Sequence, residues 1–268
     1  MKRLDGRTAV VTGGGSGIGR ATAEALADKG CRLALVDVSQ AGLDRAAADL
    51  RQRGTAVIAH TVDVRDAEAM SALADAVAAE HGACHILVNN AGVTSAGAFE
   101  EESLDDLHWI VDINVWGVVH GCHAFLPLLR KQDEAHIVNL SSMVGLLGFA
   151  HNASYSLTKG AVRAFTEALR GELVTTSIGV TAVFPGAIHT AITDSARGSR
   201  AESIAKMGRS RFAPLVMRPP SSVAGKIVRA IERDRGRVIV GPDAHLVSLW
   251  SRLAPGRSAQ LGRLTSRI

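Results

Sequence analysis

Between Thr8 and about Val240, short runs of β-branched and apolar residues alternate with longer stretches of helical period, and this alternation leaves the chain very few folds. Thr8-Ala-Val-Val-Thr12 reads as a strand, and Gly17 to Lys29 as a helix with Ile18, Ala21, Ala25 and Leu26 on one face. Arg32 to Asp37 reads as the second strand. Further strands are expected at 56–61, 85–89, 135–140, 178–184 and 237–240, with helices near 40–53, 66–81, 103–130, 153–175 and 221–234. Strands separated by whole helices cannot pair through hairpins. Right-handed crossovers instead give an α/β, doubly wound parallel sheet with helices on both faces.

The chain has 268 residues, 47% hydrophobic and 21% charged, enough apolar material for one large core and incompatible with disorder, collagen or a disulfide scaffold. No repeat or low-complexity linker divides it, so residues 1–268 read as a single domain. The stretch 187–220 resists assignment and reads as a substrate-binding loop or lid, and 243–268 as a C-terminal helix with a basic tail. Cys31, Cys84 and Cys122 form no Cys-x-x-Cys pair, no run of about 18 apolar residues occurs, and the basic N-terminus is followed by no signal-type apolar region. A reducing cytoplasm is the expectation. Residues 1–196 hold 15 Lys and Arg against 22 Asp and Glu, whereas 197–268 hold 15 against 4. That basic quarter reads as a solvated or subunit-facing surface, with attraction of an anionic substrate, partner or lipid surface as the sharper alternative.

Thr12-Gly-Gly-Gly-Ser-Gly-Ile-Gly19 lies between a strand and a helix. Gly13, Gly17 and Gly19 permit a tight turn and close backbone approach, and the N–H groups near Ser16, Gly17 and Ile18 open a helix able to bind anionic oxygens. Asp37, 20 residues beyond Gly17 at the end of the second strand, suits an adenosine ribose and would repel a 2′-phosphate. A Rossmann-type site for NAD rather than NADP follows. Asp37 or Ser39 could also cap the next helix. Ser16 rather than a basic residue precedes Gly17, Val38 follows Asp37, and Arg20 is expected to face solvent.

Tyr155 and Lys159 stand at i and i+4 on one helix face. A phenol with a pKa near about 10 is a poor acid-base group at neutral pH, and a nearby cation lowers that value. Ser142, 13 residues earlier, ends a strand and so lies at the carboxyl edge of the sheet.

Together these residues resemble the short-chain dehydrogenase/reductase family of the Tyr-x-x-x-Lys type. The matching elements are Thr12-Gly-x-x-x-Gly-x-Gly19, Asp63-Val64, Asn89-Asn-Ala-Gly92, Asn114, Ser142, Tyr155, Lys159, and Pro185-Gly186 followed by Thr190. The resemblance implies Tyr155 as general acid-base, Lys159 lowering its pKa and holding the nicotinamide ribose, and Ser142 polarising the substrate oxygen. It implies Asn114 holding a water linked to Lys159, with Asp63 and Val64 at the adenine. Asn90, Ala91 and Gly92 would lie at the adenosine ribose, and Pro185, Gly186, Ile188 and Thr190 at the nicotinamide. It also implies a homodimer or homotetramer built on the helices near 103–130 and 153–175.

The apolar run Met143 to Phe149 should pass beside the substrate, so Val144, Leu146, Leu147 and Phe149 are candidate pocket walls, with core packing as the rival. Thr94 could supply the other side and His189 could touch substrate. Ten histidines occur without ligand spacing, so no metal is expected. Leu246 to Leu253, followed by Arg257, Arg263 and Arg267, could lie on a membrane surface, although subunit contact or pocket closure is the stronger reading; nucleic acid has no motif to bind it. The expected activity is an NAD-dependent alcohol dehydrogenase or ketone reductase for a lipophilic secondary alcohol. The rivals are an NADPH-dependent 3-oxoacyl-thioester reductase and a catalytically silent NAD-binding scaffold or redox sensor.

Overall fold

A computed structural model of the chain describes residues 1–210 and 217–257. Among the described residues the strands are β1 (Thr8–Thr12), β2 (Arg32–Asp37), β3 (Val57–Thr61), β4 (Ile86–Asn89), β5 (Ala135–Leu140), β6 (Ile178–Pro185) and β7 (Arg237–Val240). They form one sheet in the order β3-β2-β1-β4-β5-β6-β7, with every pairing parallel. The helices are α1 (Gly17–Ala27), α2 (Gln40–Gln52), α3 (Ala67–His81), α4 (Leu104–Val111), α5 (Gly117–Leu129), α6 (Ala153–Glu172), α7 (Ala201–Arg209), α8 (Ser221–Glu232) and α9 (Pro242–Leu253).

The two-residue period of each strand sends its apolar side chains to both faces. On one face Ala9, Val11, Leu33 and Leu35 pack with Ala23 and Leu26 of α1, Leu43 and Leu50 of α2, and Ile227 and Ile231 of α8. On the other, Val10, Ala34 and Val36 pack with Met70 and Val77 of α3, Phe125 of α5 and Val162 of α6. The expected doubly wound sheet is therefore present, with strand boundaries within a residue of those read from the sequence.

Two local expectations change. The single helix expected over 103–130 is interrupted by a π turn at Asp112–Trp116 that separates α4 from α5. The 187–220 segment is not structureless: it contains the single turn Ala191–Thr193 and the helix α7. Part of that segment, 211–216, lies outside the described residues, as does the tail 258–268 with Arg263 and Arg267. Segment 187–200 is fastened by two parallel bridges, Ser95 to Arg197 and Ile188 to Arg218.

Helix α5 lies close against the sheet at Gly121, where an added Cβ would lie 2.2 Å from Asn89 Oδ1 at the end of β4. Asn89 cannot easily swing aside, because its Nδ2 donates to Asn139 Oδ1 at 2.9 Å. Alanine normally stabilises a helix over glycine by about 1 kcal/mol. Gly121→Ala should instead destabilise by about 1–3 kcal/mol, read as a lower denaturation midpoint; a raised midpoint would show that this contact does not set the helix-to-sheet distance.

Candidate active site

The strand order turns at β1: the chain proceeds from β1 to β2 on one side and later reaches β4 on the other, so a crevice opens above their carboxyl ends. The glycine turn fills its floor. Gly13 (φ +64°) and Gly17 (φ +53°) have left-handed backbone, and a Cβ on Gly19 would lie 2.1 Å from the Gly13 carbonyl oxygen. Asn90 braces the turn, its Nδ2 donating to Thr12 O at 2.9 Å, while Thr12 Oγ1 accepts the N–H groups of Asn90 and Ala91 at 3.0 Å. Ser16 begins α1 without a side-chain cap, and no acidic residue stands in the first turn, so the helix N-terminus remains open to an anion.

A cavity of about 580 Å³ runs along this floor. It is lined by Gly13, Ser16, Gly17, Ile18, Asp37, Asp63, Val64, Asn90, Ala91, Gly92 and Thr190, all expected at the cofactor. The Asp37 carboxylate accepts one N–H on each oxygen, from Gly15 and Ser39 at 3.0 Å, which leaves further lone pairs for ribose hydroxyls. Ser39, not Asp37, caps α2, accepting from Gly42 N. The open helix end, the glycine cradle and the carboxylate fit a dinucleotide. Asp63 lies at the cavity but is paired with Arg65 at 2.6 Å, which holds its carboxyl below the usual range. Val64 is buried; a Cβ on Gly117 would lie 2.6 Å from its Cγ2.

The other expected cofactor residues do not line this cavity. Gly19 supplies the close approach within the turn. Pro185 ends β6, and the backbone after it is braced by Asp243, whose carboxylate accepts from Ala187 N at 2.7 Å and leaves no room for a side chain on Gly186. Ile188 packs against the core and bridges Arg218. Arg20, expected to face solvent, pairs with Glu24 and Asp49.

The reacting side chains gather where β5 meets α6. Lys159 is 4% exposed; its Nζ donates to Leu140 O at 3.0 Å and lies 5.8 Å from the centre of the Tyr155 ring. Ser141 Oγ donates to Lys159 O at 2.7 Å, tying the helix backbone to the strand end. Ser142 Oγ accepts from Val144 N. Burial pushes the Tyr155 phenol up to about 12, against a pull downward from its hydrogen bond with Ser142, and burial lowers the Lys159 ammonium to about 8. The expected lowering of the phenol by the cation is therefore not what this geometry gives. Desolvation dominates, and the ammonium is spent on a carbonyl rather than on the phenol oxygen.

Asn114, in the π turn and fully buried, uses its side chain on protein partners. Nδ2 donates to Val93 O at 2.9 Å and Thr158 Oγ1 at 3.1 Å, and Oδ1 accepts from Val93 N at 2.9 Å. A Cβ on Gly92 would lie 3.0 Å from Asn114 Oδ1 and 3.4 Å from Lys159 Nζ. Glycine there keeps open the space that any water between the two would need.

The candidate substrate walls fare differently. Leu146 and Leu147 are core, packed with Ala182, Phe184 and Val247, and Phe149 packs against the same cluster. Val144 and Thr94 are buried, and neither lines the cavity beside the glycine turn. His189 lies instead on a separate cavity of about 820 Å³ beside Arg20 and Arg209. The apolar wall comes from residues not singled out in the sequence: Val93, Trp109, Ile113 and Ile192. Trp109 on α4 carries the Arg197 guanidinium 4.0 Å above its ring, with Arg197 held by Asp106 at 2.9 Å. Its signal was an aromatic five residues before Asn114, which the helical pattern reads equally well as core. Among the described residues no group of His, Cys, Asp and Glu could hold a metal ion.

A dinucleotide cradle beside a Ser-Tyr-Lys set marks an oxidoreductase. The family model for short chain dehydrogenases matches residues 7–201, and the chain belongs to that family. It is 38% identical over 255 residues, 94% of this chain and 92% of the other, to SadH of Mycobacterium tuberculosis, provisionally described as an oxidoreductase. It is 30% identical over 249 residues, covering 93% of this chain and 98% of the other, to the 2,5-dichloro-2,5-cyclohexadiene-1,4-diol dehydrogenase LinX of Sphingobium indicum. A short chain dehydrogenase/reductase of Burkholderia phymatum, solved in complex with NAD, superposes with a TM-score of 0.87 at 33% identity over 97% of both chains.

Lys159 makes the site's electrostatics measurable through stability. Its ordinary value is 10.5 and its folded value about 8, so between these only the unfolded chain keeps the proton and stability from this group rises with pH. Below about 8 both states are charged and the folded protein bears the whole burial cost. Urea unfolding of the wild type and Lys159→Met at pH 7.5 and 10.5 should show the wild type gaining on the variant by on the order of 3 kcal/mol. Parallel pH dependences would contradict a buried, lowered ammonium.

Proposed function

We propose that the protein is an NAD-dependent dehydrogenase that interconverts a lipophilic secondary alcohol and its ketone, with Tyr155 as the acid-base group. The observation that carries the cofactor choice is the Asp37 carboxylate, fixed by two backbone N–H groups at the cavity end where a ribose would lie. Its charge accepts from a 2′-hydroxyl and repels a 2′-phosphate. The Burkholderia phymatum neighbour with NAD supports the same choice.

The bound nicotinamide supplies hydride transfer to or from the substrate carbon. The protein supplies the proton: Tyr155 Oη gives one to a carbonyl oxygen or takes one from an alcohol, and Ser142 Oγ holds that oxygen by a hydrogen bond. Lys159 adds positive charge beneath the phenol, and Asn114 and Gly92 keep the space beside it open for a proton path to solvent. Val93, Trp109, Ile113 and Ile192 give the cleft an apolar wall, which supports a lipophilic substrate. The LinX relative, a diol dehydrogenase, supports alcohol chemistry.

Arg197, Lys206 and Arg209 of the basic quarter are tied to Asp106, Glu202 and Asp194, which weighs against their serving a thioester's phosphates. A silent scaffold would have no use for an intact Ser142-Tyr155-Lys159 set. Exposed Trp116 and Leu157, on the π turn and α6, support homo-oligomer contacts on those helices. The described cysteines are all buried and unpaired, which supports a cytoplasmic setting, and no described helix is long and apolar enough to cross a membrane.

The test is kcat/KM for a panel of secondary alcohols with NAD and with NADP. NAD should lead by about a hundredfold, and Asp37→Ser should narrow that lead by about tenfold. NADP leading in the wild type would sink the cofactor assignment. Tyr155→Phe should lower oxidation by about a thousandfold while NADH binding persists; unchanged turnover would remove Tyr155 from the mechanism.

A further inference from the structure

The geometry points to Glu102 and Ser154 as positioning residues that aim the reacting face of α6, an inference that rests on the reading of Tyr155 as the acid-base group. Ser154 and Thr158 are four residues apart and share one line along α6, while Tyr155 and Lys159, each one residue further on, share a line about 100° around the helix. Both residues of the first line are fastened to the α4 side. Ser154 Oγ donates to the Glu102 carboxylate, which comes from the turn directly before Ser103, the N-cap of α4. Thr158 Oγ1 accepts from Asn114 Nδ2 at 3.1 Å, in the π turn that ends α4. These two rungs, one helical turn apart, fix the rotation of α6 about its own axis, and with it the direction in which Tyr155 and Lys159 project.

The upper rung is partly buried and strong in kind. Ser154 is 2% exposed, and Glu102 Oε1 is buried with no hydrogen bond of its own, so its partner oxygen carries the whole carboxylate interaction. The N-terminus of α6 has no charged support of its own: Asn152 caps it without a side-chain hydrogen bond, and its first turn holds no acidic residue. Glu102 therefore supplies the negative charge that the helix end favours, at the residue that precedes Tyr155 in the chain. Without this rung the first turn of α6 is held by its packing and by one long hydrogen bond, 3.5 Å from Phe149 N to Ser156 Oγ, and Tyr155 is the third residue of that turn.

The test uses Glu102→Ala, Ser154→Ala, their double variant and Glu102→Gln, with kcat measured per NADH-binding site titrated by fluorescence. Either alanine variant should lose about tenfold in kcat with substrate KM and NADH Kd within about twofold. The double variant should lose no more than either single one, because both remove the same rung. Glu102→Gln keeps an acceptor for the Ser154 hydroxyl and should recover most of the activity; if Glu102→Ala fails to fold, Glu102→Gln and Ser154→Ala still decide. Wild-type kcat in both single variants, multiplying losses in the double one, or losses that follow NADH affinity would each overturn the positioning role. Full turnover in Tyr155→Phe would instead overturn the proposed function, so the two failures are distinguishable.

Discussion

Everything in the site depends on how closely polypeptide backbone can approach backbone at the point where the sheet changes direction. β1 and β4 are neighbours in space although their paired residues, such as Ala9 and Ile86, are 77 apart in sequence, and the connections leaving them diverge. The turn in the resulting crevice can carry no side chain at Gly13 or Gly19, which pack against each other and against Asn90. The cavity, the open end of α1 and the reach of Asp37 all follow from that contact.

The fold was legible because its information is local. Each strand is a short apolar run, each helix has its own period, and parallel order follows from their alternation. Much of the dinucleotide cradle was legible for the same reason, since Gly13, Gly17 and Asp37 act through backbone geometry and spacing. What escaped depends on contacts between distant segments. The π turn at Asp112–Trp116 leaves no mark in a helical period, and it exists where Asn114 must reach Val93 and Thr158 together. Leu146 and Leu147 could not be sorted into pocket or core without α9, whose Val247 covers them. Pairing Tyr155 with Lys159 by spacing was sound, but the sign of the phenol's shift was not readable: it depends on how much water is excluded and on Leu140 O claiming the ammonium.

Charge follows a similar division. The acidic first three-quarters and basic last quarter suggest two surfaces, yet in the fold they are partly sewn together. Arg197 reaches back to Asp106, and Arg170 grips Asp234 near the end of the sheet. Net charge by segment is thus a poor guide to field at the cleft, where the fixed carboxylate of Asp37 and the shielded ammonium of Lys159 stand at separate places.

The π turn holds one residue more than a regular helix would use over the same length. Deleting it would heal the hydrogen-bond ladder and strengthen the α4–α5 rod, but would rotate one half against the other by about 100° and carry Asn114 away from both of its partners. Selection for stability alone would remove such a residue. Its presence marks a place where helix regularity has been surrendered to the register of the site, and where stabilising redesign and catalytic competence pull in opposite directions.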